Sequence, residues 1–329
     1  MEKTFEEILK DADGLYTENK FFDAVFSYKS ALEKVQGKKI ERATLEHIKK
    51  RLKECIEKSD REFKTLGVEQ KIGEELITQI YELNEKIILD IGNNLIELPR
   101  IAFSPNFITP FQVYENSEKT IPLTYQIANV TVFSESYIAG NNDDYTPKVL
   151  WGFNVYGITQ QLNLQFHVNP ILKKLVSKEV FTSQNFIGLL NSKNLTKTND
   201  AFSILQQGVV RYLERDYVSS LHILVPQLEN LLLFMCELAD VETTVVERGK
   251  TITKKMTLSD RELQGEKMIE LFGKDYTFFL RYVLYSPLGL SLRHKVAHGT
   301  IKSIECNVGN CNLVLLAIFI ALRKIHKID

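Results

Sequence analysis

The segment "LSLRHKVAHGTI", residues 290–301, carries side chains that could do chemistry together. Arg293, His294, Lys295 and His298 lie within six positions, and two of the six histidines of the chain are among them. Histidine exchanges a proton near neutral pH, whereas arginine stays cationic and donates paired hydrogen bonds to phosphate oxygens. One histidine and one arginine at a surface cleft could therefore cleave a phosphodiester. The histidine would move the proton, and the arginine would stabilise charge on the phosphoryl oxygens.

The spacing of these residues limits how they can meet. Five positions on an α-helix turn through about 140°, so that Arg293 and His298 do not share a face. His294 and His298 are four positions apart and do share one. Two arrangements remain open: a short helix that ends at His298 with Gly299 as its C-cap, or a site completed by another surface.

Each of these residues also has a purely structural interpretation. His298 could be a core histidine whose ring bonds a backbone carbonyl. The sole role of Arg293 could be to pair with an acidic residue such as Glu229. Lys295 could contact RNA phosphates or could be a solvated surface lysine.

A second group of polar residues lies on a very apolar stretch between residues 201 and 241. Ser219, His222, Pro226 and Glu229 recur at spacings of three and four, so they share one helix face. This stripe could be a structural polar network or could support an active site. It does not look like a nucleophilic triad, because nothing places an activated serine on a strained turn.

The motif "LRHKVAHG" is similar to the signature of the HEPN superfamily: an arginine, a polar residue, three further residues and a histidine. HEPN domains are compact helical bundles, and many are metal-independent ribonucleases that act as dimers with two motifs facing each other. The resemblance implies that Arg293 is the motif arginine, His294 its polar neighbour and His298 the catalytic histidine. The HEPN toxins that are silenced by adenylylation carry a tyrosine where this chain has Thr300, so we do not expect this form of control here.

A longer pattern adds to this resemblance. "YLERDYVSSLHILVPQLENLL" followed by "GLSLRHKVAHG" resembles a bacterial family of poorly characterised proteins with a C-terminal HEPN-like domain. His222 and Glu229 match the first of these two motifs, which implies a supporting role for them, as for His294 and Lys295. The resemblance covers residues 201–329 well, the middle third loosely and the first seventy residues hardly at all.

Composition bounds the remaining possibilities. The chain has 329 residues, 44% hydrophobic and 25% charged, with a formal net charge of -1, which is typical of a soluble globular protein. A cationic site must therefore be local. No zinc-ligand spacing and no nucleotide-binding glycine motif occurs, and we expect no cofactor and no metal. The N-terminus is not a signal peptide, and the longest apolar run, residues 313–322, is shorter than the ~20 residues that span a bilayer. We therefore expect a cytoplasmic protein with no membrane partner.

Hydrophobic periodicity divides the chain into three regions. Residues 1–98 form a helical region that begins with one tetratricopeptide-like hairpin, "LYTENKFFDAVFSYKSALEKV". Two longer helices follow it, at about residues 40–63 and 70–98. The hairpin could be a docking surface for a protein partner or could pack as part of a bundle. Residues 99–170 form a loop-rich region with a small antiparallel sheet at about residues 124–168, built from "YQIANVTVF", "VLWGFNVYG" and "LNLQFHV". Residues 171–329 form the HEPN-like helical domain, in which "VVERGKTIT" predicts a short β-hairpin.

The sequence thus predicts a mainly α protein: N-terminal helical hairpins, a small antiparallel β insertion and a C-terminal HEPN-like bundle. The resemblance implies a metal-independent endoribonuclease with RNA as substrate, acting as a homodimer in bacterial defence or a toxin-like system. The alternative is a non-catalytic HEPN-like module for protein interaction or sensing.

Overall fold

The computed structural model describes most of the chain and shows a mainly helical protein, as the sequence predicts. Contacts between Cα atoms divide it into two compact units, residues 1–73 and 74–329. The predicted region boundaries near residues 98 and 170 both lie inside the second unit. The structure describes residues 3–35, 41–65, 73–95, 98, 107–117, 119–120, 132–134, 137–139, 146–192, 195, 201–246, 253–255 and 257–325.

Three helices build the first unit: α1 (Phe5–Thr17), α2 (Phe21–Lys34) and α3 (Arg42–Thr65). Helix α1 begins at a capping box in which Thr4 and Glu7 each bond the other's backbone N–H. Ala24 and Ala31 are fully buried, so these small residues allow the close helix approach that the hairpin pattern predicts. The predicted hairpin and the helix after it are confirmed.

The second unit is built from many short helices and a few long ones. Residues 164–168 and 281–285 each form one turn of π-helix, and Ser303–Glu305 form a 3₁₀ turn. The α-helices are α4 (Glu74–Ile91), α5 (Phe111–Ser117), α6 (Pro147–Asn163), α7 (Asn169–Ser177), α8 (Ser183–Ser192), α9 (Ala201–Leu213), α10 (Tyr217–Leu238), α11 (Asp260–Leu263), α12 (Glu266–Phe272), α13 (Lys274–Leu280), α14 (Leu292–Ala297) and α15 (Val308–Ile325).

Helices α10 and α15 form the centre of this unit. Helix α10 packs against α9 on one side and against α15 on another. Every residue from Leu313 to Leu322 is at most 3% exposed, so the prediction of a buried helix there is confirmed. Gly208 lets α9 approach α10 closely, because a Cβ at that position would lie 2.6 Å from a Leu224 methyl. A buried hydrogen-bonded chain from Tyr212 through Asn312 to Asn169 joins α9, α15 and α7.

Two of the three predicted strands of the middle region are wrong. "VLWGFNVYG" lies in helix α6, and "LNLQFHV" lies across the end of α6 and the following π-helical turn. Thr146 caps α6 by accepting from the N–H of Val149, and Pro147 occupies the first turn. Phe153, Tyr156 and Gln160 are buried on one face at spacings of three and four. Burial of this face therefore overrides the preference of aromatic and β-branched residues for strands.

The strands that the structure does describe are short. β1 (Val132–Ser134) pairs antiparallel with β2 (Tyr137–Ala139), and β3 (Thr244–Val246) pairs antiparallel with β4 (Thr253–Lys255). The second pair is the hairpin that "VVERGKTIT" predicts, and its connecting residues lie outside the described part. Most of the remaining residues of the predicted sheet, 124–131 and 140–145, also lie outside it.

Within the described chain, α10 and α15 are long and apolar enough to cross a membrane by length and composition alone. Half of the apolar window of α10 and 72% of that of α15 are buried inside the protein. Core helices of soluble proteins pass the same test, so the expected absence of a membrane partner and the cytoplasmic location stay predictions.

Candidate functional site around helix α14

The loop before α14 fixes where the helix begins. Gly289 lies against the π-helical turn so closely that a Cβ there would be 2.1 Å from the carbonyl oxygen of Tyr282. Leu290 donates its N–H to that same carbonyl at 2.8 Å. Ser291 then adopts a left-handed backbone, with φ of 51°, which costs a non-glycine residue about 1–2 kcal/mol. Leu292 is fully buried and anchors the first turn. Surrounding packing thus holds the motif helix in place.

The end of α14 is a complete Schellman motif. The helix ends at Ala297, and Gly299 follows the cap with a positive φ of 65°. The N–H of Thr300 bonds the carbonyl of Lys295 at 2.9 Å, and the N–H of Gly299 bonds that of Val296 at 3.3 Å. The chain therefore has the short helix that the spacing allows, with Gly299 just after its C-terminus.

Arg293 turns inward and pairs with Glu229 of α10. Its Nε donates to Oε2 of Glu229 at 3.0 Å, and the side chains are 27% and 13% exposed. The other oxygen of Glu229 accepts the backbone N–H of Leu258 at 3.1 Å. Glu229 therefore holds both the motif helix and the chain that follows the β3–β4 hairpin. The pairing that the structural interpretation of Arg293 predicts is present.

His294 and His298 lie on the outer face of α14. Both are exposed, and their ring centroids are 4.3 Å apart. The shared face that the spacing predicts is confirmed, and the interpretation of His298 as a core histidine is wrong because α14 ends at the surface. Partial burial lowers the pKa of His294, and the nearby charges of His298 and Arg293 lower it further. His294 is therefore unprotonated at neutral pH and can accept a proton.

Lys295 of α14 is held by the 3₁₀ turn that follows the helix. Its ammonium group pairs with Glu305, whose other carboxylate oxygen accepts the N–H of Lys302 at 2.9 Å. Both partners of the ion pair are about one-quarter to one-third exposed, at 31% and 25%. A phosphate would have to compete with Glu305 for this lysine.

The polar stripe on α10 does not act as one group. His222 is exposed, and its Nδ1 lies 2.8 Å from the carbonyl oxygen of Val218, one turn back on the same helix. The N–H of Ser219 bonds Asp216, which caps α10. Only Glu229 reaches α14. Among the described residues, no hydrogen bond or ring contact joins His222 to the motif helix.

Tyr285 is a member of the site that sequence reasoning missed. Its hydroxyl is buried and has no hydrogen-bond partner among the described residues. Burial raises the pKa of Tyr285, Glu229 raises it further, and Arg293 opposes them. The buried phenol thus stays neutral beside the Arg293–Glu229 pair. Leu258 and Glu305 were missed as well, because only the fold brings Leu258 to Glu229 and Glu305 to Lys295.

The arrangement offers proton transfer and one cation at a single surface. Two imidazoles stand next to each other, with a guanidinium on the adjoining face. Within the described part of the chain, no group of three or more His, Cys, Asp and Glu side chains is placed to hold a metal ion.

Comparison of the chain with models of protein families, with curated proteins and with solved structures found no match. The relationship to the HEPN superfamily thus stays a prediction that rests on the residues of the motif.

Proposed function

We propose that this protein is a metal-independent endoribonuclease of the HEPN type. The observation that carries the proposal is the pair of exposed imidazoles of His294 and His298, with Arg293 next to them in the chain. General acid–base cleavage needs an imidazole at the surface, and a buried one could not reach RNA.

The proposed reaction uses the nucleophile that RNA itself supplies. An imidazole takes the proton of the ribose 2′-hydroxyl, and the 2′-oxygen attacks the adjacent phosphorus. The bond from phosphorus to the 5′-oxygen breaks, and an imidazolium returns a proton to that oxygen. The products are a 2′,3′-cyclic phosphate and a 5′-hydroxyl. In this scheme His298 is the principal proton-transfer residue, and Arg293 stabilises the charge on the phosphoryl oxygens.

The Arg293–Glu229 contact is compatible with this role. A guanidinium has five N–H donors, and the contact with Glu229 uses the one on Nε. Within the described part of the chain, no hydrogen bond engages the four donors of the Nη groups, which could therefore bind phosphate oxygens. A cation already held by a carboxylate also loses less conformational freedom on binding than a free one. Glu229 would then be a positioning residue, and Lys295 and His222 would keep the supporting role that the resemblance implies, Lys295 only where a phosphate displaces Glu305.

A homodimer would complete the site. Arg293 and His298 leave α14 on different faces, and one chain contributes one copy of each. A symmetric interface would place two copies face to face and so supply both an acid and a base. RNA is the proposed substrate, and host defence or a toxin-like system is the proposed context on the resemblance alone.

The second candidate function is a non-catalytic HEPN-like module for protein interaction or sensing. The observation that favours it is the same ion pair, because Glu229 ties Arg293 and the Leu258 backbone into one polar network. Such a network stabilises a fold without any catalytic role. The N-terminal helices α1 and α2 would then be the surface for a protein partner.

One experiment separates the two functions. Purified wild type and His298→Ala are incubated with total RNA and defined tRNA in excess EDTA, and the fragment ends are mapped. The nuclease should leave 5′-hydroxyl ends and spare substrates with a 2′-O-methyl group at the cleaved position. His298→Ala should cut at least about a hundredfold more slowly. His47→Ala is the control, because it removes a partly exposed histidine of the other unit. No cleavage by the wild type would leave the interaction module, and full cleavage by His298→Ala would overturn the catalytic role of His298.

A further inference from the structure

A second candidate site lies in the same unit and shares none of the α14 motif residues. A cavity of about 390 Å³ lies beside a larger, more polar one of about 590 Å³. The larger volume is typical of small-molecule sites, which span about 300–1,000 Å³. Its walls come from α5, α6, α11 and the π-helical turn at Arg281–Tyr285.

Arg281 forms the charged wall of this cavity. It donates two hydrogen bonds to Asp260, at 2.9 and 3.1 Å, and its side chain is only 16% exposed. The guanidinium also lies over the rings of Phe153 and Phe278, at 5.6 and 5.3 Å from their centroids. Three of its five donors have no acceptor among the described residues.

Ser286 adds a buried donor to the same cavity. The residue is 1% exposed, and its oxygen accepts the N–H of Leu288 at 3.3 Å. Its own hydroxyl proton has no acceptor among the described residues. A buried donor that stays unmatched destabilises the protein, so a ligand acceptor at this hydroxyl would recover that free energy.

The remaining polar groups make the cavity cationic. Arg261 lines it, is exposed, and forms no ion pair with a described residue. Asp260 is the only carboxylate among the described lining residues, and it already accepts from Arg281 and from Gln264. Two guanidinium groups therefore face one occupied carboxylate, and donors outnumber acceptors.

From these observations we infer that the cavity binds a small organic anion with a carboxylate or phosphate group. The anionic group takes the free donors of Arg281, Ser286 and Arg261. An aromatic or apolar body packs against Tyr114, Val149 and Leu288, which form the other walls. This inference is independent of the proposed RNA cleavage, because none of its residues belongs to α14.

The test measures binding to the full-length protein by calorimetry and by the shift in melting temperature. The probes are phenyl phosphate, benzoate, neutral benzamide and inorganic phosphate, each up to about 10 mM, where even a millimolar ligand stabilises by mass action. Phenyl phosphate or benzoate should bind, and benzamide should not. Ser286→Ala should weaken binding about tenfold or more, and Arg261→Gln about two- to fivefold.

The controls keep each outcome decisive. Arg211→Gln removes an arginine of α9 that does not line the cavity, and it should leave the affinity unchanged. Arg281 is left intact, because its bond to Asp260 also supports the fold. The inference is overturned if neither organic anion binds, if benzamide binds as well as benzoate, or if both cavity variants bind as the wild type does. If inorganic phosphate bound as tightly as phenyl phosphate, the claim that the cavity also binds an apolar or aromatic body would be overturned.

Discussion

The ion pair between Glu229 and Arg293 predicts a measurable coupling free energy. Glu229 accepts two hydrogen bonds, at 3.0 Å from Arg293 and 3.1 Å from the N–H of Leu258. A hydrogen bond to a charged group contributes about 1.5–3 kcal/mol, and partial exposure places this pair towards the lower end of that range. We expect Glu229→Gln and Arg293→Gln each to lower the free energy of unfolding by about 1–2 kcal/mol. The double variant should lose about 1 kcal/mol less than the sum.

The assay is urea unfolding followed by tryptophan fluorescence. The chain has one tryptophan, Trp151, and it lies in α6 of the second unit. Its emission therefore follows the unit that holds the ion pair, which matters because two units need not unfold in one step. Arg211 and Glu214 provide a matched control in the same unit, since their pair has a similar 2.9 Å distance but is 48% and 54% exposed. That exposed pair should couple by at most about 0.5 kcal/mol.

A coupling below about 0.3 kcal/mol for Glu229 and Arg293 would refute the reasoning, because it would equal the background expected for independent residues. If these variants also fail to cut RNA, a large coupling would not by itself separate the structural role of Arg293 from its catalytic role. Glu229→Gln separates them, since it keeps Arg293 and removes only its anionic partner. Slower cleavage with unchanged proton-transfer pH dependence would then assign Glu229 a positioning role.

Four further predictions test the site, the helix packing and the assembly. In His298→Ala the pKa of His294 should rise, because a neighbouring charge that lowers it is gone, and an NMR titration of the ring measures this. In the wild type, folded His294 binds fewer protons than the unfolded chain between its lowered pKa and about 6.5, so the free energy of unfolding should rise with pH through that window. Gly208→Ala should destabilise the protein by about 1–3 kcal/mol in the urea assay, because its Cβ would lie 2.6 Å from Leu224. Gly188→Ala, with nothing within 4 Å, should stabilise it by up to about 1 kcal/mol, and equal effects would contradict the packing argument. Light scattering should show a homodimer at micromolar concentration that survives deletion of residues 1–66, whereas an active monomer would refute the shared site.

Features set by a few neighbouring residues could be predicted from the sequence. Gly299 ends α14 because glycine adopts a positive φ without a Cβ clash. The shared face of His294 and His298 follows from helix geometry alone. Residues 313–322 are apolar on every side of the helix, so the whole helix must be buried and not only one face of it.

The middle region shows where local preference misleads. Residues 149–168 are rich in aromatic and β-branched side chains, so their composition favours strands. The spacing of Phe153, Tyr156 and Gln160 is that of a helix face. Gln160 makes this helical period hard to recognise, because a glutamine is not expected in a core. That side chain is buried because it satisfies the backbone of two residues, accepting from Thr109 and donating to Phe107. Its partners lie more than fifty positions away, and periodicity cannot reveal them.

Arg293 is the residue on which the functional argument depends, and its geometry bears on both functions. An arginine that served only the fold would gain most by satisfying all its donors inside, yet the contact with Glu229 uses one of five and leaves 27% of the side chain exposed. An arginine that served only catalysis would need no carboxylate partner, because a nearby carboxylate weakens the attraction of the guanidinium for phosphate. A guanidinium that is held through Nε and is still partly exposed suits a residue that must present a fixed cation. The neutral phenol of Tyr285 and the neutral imidazole of His294 lie beside it and add no competing positive charge at pH 7. Arg293 and Lys295 each have a carboxylate partner, so an RNA phosphate would have to bind through the guanidinium donors that the contact with Glu229 does not use.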